Sequence, residues 1–241
     1  MKSKFTLIAL AGVLAFTACK KDKDEPETLT LDKTEITLQH NIAQQLNVTP
    51  TQTCTWTSAD TNVAKVTQAG LVTGVRLGNT KITAKAASGL IAECNVTVEA
   101  ASFLYKEPAY KYGESIAYVK SKETRFLLNE DLHGLAYQGE NSDVSLVVYI
   151  FDNDALMVAD VMLNDSINNF PLAQKFLEER YIYLGTQDGV VFYMDYLGNF
   201  LGLSIDDNLG LNVLYYTDLE VKQNRNIVME GYLKALKQFK R

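Results

Sequence analysis

Between residues 28 and 99, apolar and polar positions alternate in short bursts. They fall at Leu29–Leu31, Glu35–Leu38, Gln45–Val48, Cys54–Trp56, Ala64–Val66, Leu71–Gly74, Thr80–Ala84 and Cys94–Val98, with turn-forming residues between them. Alternation with a period of two at this spacing predicts half-buried strands, and a run of such strands predicts an all-β antiparallel sandwich.

Beyond residue 100 the texture changes from Thr, Val and Ala to Tyr, Leu, Phe and Asp, which makes this a multi-domain chain with a second domain over 103–221. Ile116 and Val119 lie three apart within Tyr112–Lys122 and predict a short helix. Strands are predicted at Gly134–Gln138, Val144–Phe151 and Ala155–Leu163, the last two joined as a hairpin by Asp152, Asn153 and Asp154. The pattern then restarts. Asn169–Arg180 places Phe170, Ala173, Phe176 and Leu177 on one helical face, and strands follow at Tyr181–Gly185, Val190–Tyr196, Phe200–Ile205 and Leu211–Tyr216. Helix then antiparallel strands, twice over, predicts an α+β domain with its helices on one face of the sheet. Residues 222–241 read as a basic amphipathic tail helix with Ile227, Met229, Tyr232, Leu233 and Leu236 apolar. Such a helix can lie on an anionic surface or dock on its own domain.

The start of the chain is of another kind. Lys2 and Lys4 precede an apolar run from Phe5 to Phe16. At about 12 residues it has the length of a secretory leader and falls short of the roughly 20 that cross a bilayer. The run closes on Phe16, Thr17, Ala18 and Cys19, which resembles the lipobox of bacterial lipoproteins, with Phe16 where that motif usually has Leu. The resemblance implies removal of residues 1–18 and lipidation of Cys19; an ordinary secretory leader with an incidental cysteine is the other reading. The acyl chains would anchor the protein on a membrane, each buried methylene contributing about 0.8 kcal/mol. Residues 19–27 form a charged tether without apolar side chains to pack. Cys19 and the charges after it resemble the export signal of surface-exposed lipoproteins of certain Gram-negative gut commensals; a plain flexible spacer is the other reading. The expected address is the cell envelope, as an outer-membrane lipoprotein exposed at the surface.

Within residues 28–99 the series Trp56–Asp60, Val63–Val66, Gly70–Val75, Gly78–Ala84 and Cys94–Val98 resembles the bacterial Ig-like domain, group 2. That resemblance implies a sandwich module found in adhesins and surface proteins, often as a spacer and without a catalytic site. More loosely, Glu107–Ser115, Tyr149–Leu156 and Phe176–Tyr181 resemble a domain that follows Ig-like modules in commensal surface lipoproteins. Cys54 shares a strand face with Trp56, and Cys94 shares one with Val96 and Val98. If both faces point inward the thiols can meet across the core as a disulfide, which export favours; two buried free thiols are the alternative.

Charge narrows the partners. The full chain carries −6, and with Lys2 and Lys4 removed in the leader the value is −8; residues 222–241 alone carry +5, which leaves −13 for 20–221. An acidic body argues against nucleic acid. Chemistry for catalysis is sparse. His40 and His133 sit in no recognisable motif, Ser115 lacks a nucleophile elbow, and no phosphate loop or zinc signature occurs. The clusters Asp152–Asp154 and Asp206–Asn208 offer hard oxygens but do not continue as a calcium loop. No catalytic residue, metal or cofactor is expected. All 13 tyrosines follow residue 100, and they either present an aromatic face to sugar or protein or build a sheet core. The reading is therefore a non-catalytic surface lipoprotein whose Ig-like spacer presents a module for glycan, envelope protein or host protein. A structural or assembly component of the envelope is the alternative, and a small hydrolase a distant third.

Overall fold

The structure is a computed structural model and describes residues 28–207 and 209–217. The leader, Cys19, the tether and the tail helix expected over 222–241 lie outside the described residues.

The first module runs β1 (Thr30–Leu31), β2 (Glu35–Gln39), β3 (Ala43–Gln45), β4 (Val48–Thr49), β5 (Cys54–Ser58), β6 (Ala64–Val66), β7 (Leu71–Gly74), β8 (Gly78–Ala86) and β9 (Ile91–Glu99). A four-stranded sheet in the order β2-β9-β8-β5 faces a three-stranded one, β3-β7-β6, with β1-β4 as a short extra pair. The alternation read from the sequence is the burial pattern observed: Ile36 and Leu38 on β2, and Ala92, Cys94, Val96 and Val98 on β9, point into one core with Trp56, Val72 and Ile82. Two details differ from expectation. β2 pairs parallel with β9, since no hairpin joins them and the chain between them visits the other sheet. The strand expected over Gln45–Val48 is split, because the buried Leu46 turns the chain between β3 and β4.

The cysteines also depart from the expected bridge. Both are buried free thiols. Cys54 is level with Ala86 of β8, and Cys94 with Ile82 of β8, so they belong to one sheet with a strand between them. Two strand spacings of about 4.8 Å and an offset of four residues at about 3.3 Å each separate them far beyond the roughly 7 Å that a disulfide tolerates between Cα atoms. Both thiols face the core, but from one sheet and not from opposite sides of it.

The second module contains α1 (Ile116–Lys122), β10 (Leu127–Glu130), β11 (Gly134–Gln138), β12 (Val144–Asp152), β13 (Ala155–Leu163), α2 (Ser166–Glu178), β14 (Ile182–Gln187), β15 (Val190–Met194), β16 (Phe200–Asp206) and β17 (Gly210–Tyr216). One eight-stranded antiparallel sheet has the order β10-β11-β12-β13-β17-β16-β15-β14. Each half is a helix followed by a four-strand meander, and the halves join through their last strands. A shift of 54 residues, the step from Asp160 to Leu214, carries each element onto its counterpart, and these two residues pair across β13 and β17. A twofold relation between the halves thus passes through the middle of the sheet. With only two helices the module is strand-rich, and the α+β label fits it loosely.

Local chemistry explains the elements. Asn153 and Asp154 both have positive φ, 48° and 64°, between the paired Asp152 and Ala155, which is the two-residue turn that matches strand twist. Asp188 and Gly189 repeat it between β14 and β15. Ser115 caps α1 by accepting from the Tyr118 N–H, and the Asp154 carboxylate accepts from the Ile116 N–H at 2.9 Å, so the hairpin turn also closes the helix start. The sequence did not reveal β10, an exposed edge strand whose register shifts between Leu127 and Asn129.

Candidate functional surface

The candidate reactive residues serve structure. The Ser115 hydroxyl is a helix cap. The Nδ1 of His40 bonds the Val75 carbonyl, and His133 sits in the exposed turn between β10 and β11, where its N–H donates to Asp131. Asp206 accepts from the Leu209 N–H at 3.1 Å, as a turn residue does. Among the described residues, no three His, Cys, Asp or Glu side chains converge as a metal site.

The tyrosines are mostly core. Tyr105, Tyr137, Tyr149, Tyr181, Tyr193, Tyr215 and Tyr216 are buried, while Tyr183 and Tyr196 are about half exposed. On the helix side of the sheet the Tyr105 and Tyr215 hydroxyls meet at 2.7 Å, and the Tyr110 and Tyr181 hydroxyls at 3.2 Å. Tyr181 also donates to Glu107. Burial pushes the Tyr110 hydroxyl up to about 12 and raises those of Tyr105, Tyr181 and Tyr215 well above the usual tyrosine range, so all four stay neutral donors at any physiological pH.

A second buried polar group, which no spacing in the sequence announces, fastens the lead-in segment to the sheet. Arg125 donates to Glu123 at 2.7 Å, to Glu140 at 2.6 Å and to the Lys106 carbonyl, and Tyr149 donates to Glu123 at 2.6 Å while accepting from the Ala109 N–H. Burial alone would raise Glu123, but the Tyr149 hydroxyl and the Arg125 guanidinium hold it below the usual carboxylate range.

The junction of the modules depends on the end of α2. One oxygen of the fully buried Glu179 accepts from the Ala101 and Ser102 N–H groups, both at 3.1 Å, and from the Ser102 hydroxyl at 2.9 Å. Its backbone carbonyl accepts from the Leu77 N–H of the first module at 2.9 Å. Arg180 stacks on Phe176 at 3.7 Å and donates to the Ser102 carbonyl at 3.0 Å, and Arg76 donates to the Tyr196 hydroxyl at 3.3 Å. The linker is therefore clasped by the second module, which also touches the first directly.

The sheet face away from the helices carries Ala136, Leu146, Val148, Ile150, Val158, Asp160, Met162, Leu214, Phe192 and Phe200, as the pairing registers require. Around Val148 and Met162, the apolar contacts among the described residues come from the sheet itself and Leu209. At its centre Asp160 is fully buried, and neither carboxylate oxygen has a well-formed hydrogen bond. Burial drives its pKa well up; the Val161 N–H pulls the other way, and the charge of Asp206 adds to the rise.

These features define a sandwich module joined to a strand-rich, pseudo-twofold sheet module. Residues 26–96 match the family model of the bacterial Ig-like domain, group 2, which agrees with the observed strands and core. Among solved structures, the S-layer protein rSbsC(31-844) matches at 19% identity over 58% of this chain and 22% of that chain, with a TM-score of 0.25; the chain thus spans about a fifth of that protein's length. No curated protein matches the chain.

Proposed function

We propose that the protein is a non-catalytic lipoprotein of the bacterial cell surface, anchored through Cys19 on the tether 19–27. Its Ig-like module would act as a spacer that presents the C-terminal module to a binding partner. The clasp of Ala101 and Ser102 by Glu179 is the observation that supports this reading most. A binding module is useful at the end of a spacer when the joint between them is held. The reading also rests on the leader ending at Cys19 and on the family match over 26–96. No helix among the described residues is long and apolar enough to cross a membrane.

Burial of most tyrosines removes the broad aromatic platform that sugar stacking would use, so a protein partner in the envelope or on a host is favoured over a glycan. A structural or assembly role in the envelope is the same reading with an envelope protein as that partner. Incorporation of labelled palmitate into the wild type and its loss in Cys19→Ala test the anchor, and protease cleavage on intact cells tests exposure. A pull-down and a glycan array with the chain from Lys20 onward then separate the partners. Absence of label in the wild type, or protection until cells are broken, would overturn the surface reading.

A further inference from the structure

We infer that residues 101–112 form a releasable strap, which leaves the second module as a unit while the eight-stranded sheet stays folded and so frees the joint between the modules. Backbone bonding is the first ground. β9 ends at Glu99 and α1 begins at Ile116, a longer connection than most in a compact domain and of a length usually kept for function. Among the described residues, the backbone groups of 101–112 bond no backbone group outside the strap. Side chains hold them instead. Glu179 accepts from the Ala101 and Ser102 N–H groups, and Arg180 donates to the Ser102 carbonyl. Asn141 donates to the Leu104 carbonyl at 3.0 Å, Glu140 and Arg125 hold the N–H and the carbonyl of Lys106, and the Tyr149 hydroxyl accepts from the Ala109 N–H at 2.9 Å. Lifting the strap therefore breaks no strand pairing, and an opening that spares the ladders needs less free energy than global unfolding.

The second ground is how the strap ends. The Gly113 N–H donates to the Leu156 carbonyl at 3.0 Å, and the Leu156 N–H donates to the Glu114 carbonyl at 2.9 Å. The chain is thus fixed to β13 just past the strap, and Gly113, at a φ of +75° with open space around it, suits a hinge. The other end continues directly from β9 of the first module. The strap is therefore the covalent path between the modules, and from Glu99 to Gly113 it reaches about 50 Å when extended.

The third ground is what the strap covers. The Tyr105 ring lies 4.3 Å from Phe176 and the Tyr110 ring 4.8 Å from Tyr215, while their hydroxyls meet those of Tyr215 and Tyr181. Strap and seat thus meet largely through tyrosines, whose rings suit burial and whose hydroxyls suit water. Such a contact serves both a closed and an open state. The use of the device rests on the surface reading above, in which the second module is presented either on a held joint or on a loose tether; its existence does not.

The test is amide hydrogen exchange, read by NMR on the chain from Lys20 to Arg241, which needs neither a membrane nor a partner. The amides of Ala101, Ser102, Lys106 and Ala109 should exchange through one shared opening, about tenfold or more faster than the paired amides of β12, β13 and β17. Glu140 bonds Lys106 and Arg125 and neither Ala101, Ser102 nor Ala109. Glu140→Ala should nevertheless speed all four strap amides several-fold and leave the strand amides unchanged, with Glu140→Gln acting in the same direction but less. Acceleration at Lys106 alone would show independent anchors and overturn the unit. Strap amides as slow as those of the central strands, or strand amides that speed up equally in the variants, would show that the strap opens only with the sheet and would overturn the inference as well.

Discussion

Asp160 stands directly opposite Leu214 across the β13–β17 pair, at the point about which the two halves of the sheet are related. One half therefore places an acid where the other places a leucine. Because the folded state holds this carboxyl protonated above the usual range, it binds more protons there than in the unfolded chain. The stability it permits is complete at acid pH and declines as pH rises towards its folded pKa. Asp160→Asn should remove that slope and stabilise the protein by about 1–3 kcal/mol at neutral pH. Urea unfolding of both proteins between pH 4 and 8 checks this, and a gap that stays constant with pH contradicts it.

Glu179→Ala deletes the acceptor for three hydrogen bonds from the linker. A loss of roughly 2–4 kcal/mol is expected, since donors are left buried without partners. Limited proteolysis should show faster cleavage near residues 99–103, whereas Glu179→Gln, which keeps an acceptor oxygen, should resist it better. Cleavage at the wild-type rate in both variants would mean that the clasp does not hold the joint.

The two cysteines of the Ig-like module should behave as thiols. In the chain from Lys20, a thiol reagent should titrate two groups after denaturation and almost none before, and the melting temperature should not change with reductant. Finding no reactive thiol in denatured, unreduced protein would restore the cross-link.

Gly70→Ala tests a crowded turn. A Cβ there would come within 2.6 Å of the Leu46 carbonyl oxygen and 2.8 Å of the Trp56 ring, at a φ of +81°. The expected cost is about 2–3 kcal/mol, read as a lower urea midpoint for the first module. Gly113→Ala, also at positive φ but with open space around it, should cost less.

In the first module strand positions were legible because the long strands have one wet face: β2, β8 and β9 announce themselves by alternation, and in the second the turns at Asn153 and Asp188 show as residues that tolerate positive φ. Sheet membership was not. Cys54 and Cys94 obey the same inward pattern whether they share a sheet or oppose each other, and only the pairing with β8 decides it. The clasp at Glu179 was equally silent, since its partners at 101 and 102 lie more than 70 residues away and a Glu in the run Leu177–Arg180 looks like any exposed helix residue. Tyrosine, as much a core residue as a surface one, gave composition without direction.

The union of the two halves through their final strands has a consequence for the order in which the protein is made. β13 gains its hairpin partner β12 at once, but its other edge must wait for β17, more than 50 residues later. Until residue 216 has emerged, the first half presents a bare row of N–H and C=O groups beside an apolar face, the kind of edge that recruits a wrong strand. Folding of this module is therefore completed by its last strand, and a chain released early would be left with an adhesive edge instead of a smaller working domain.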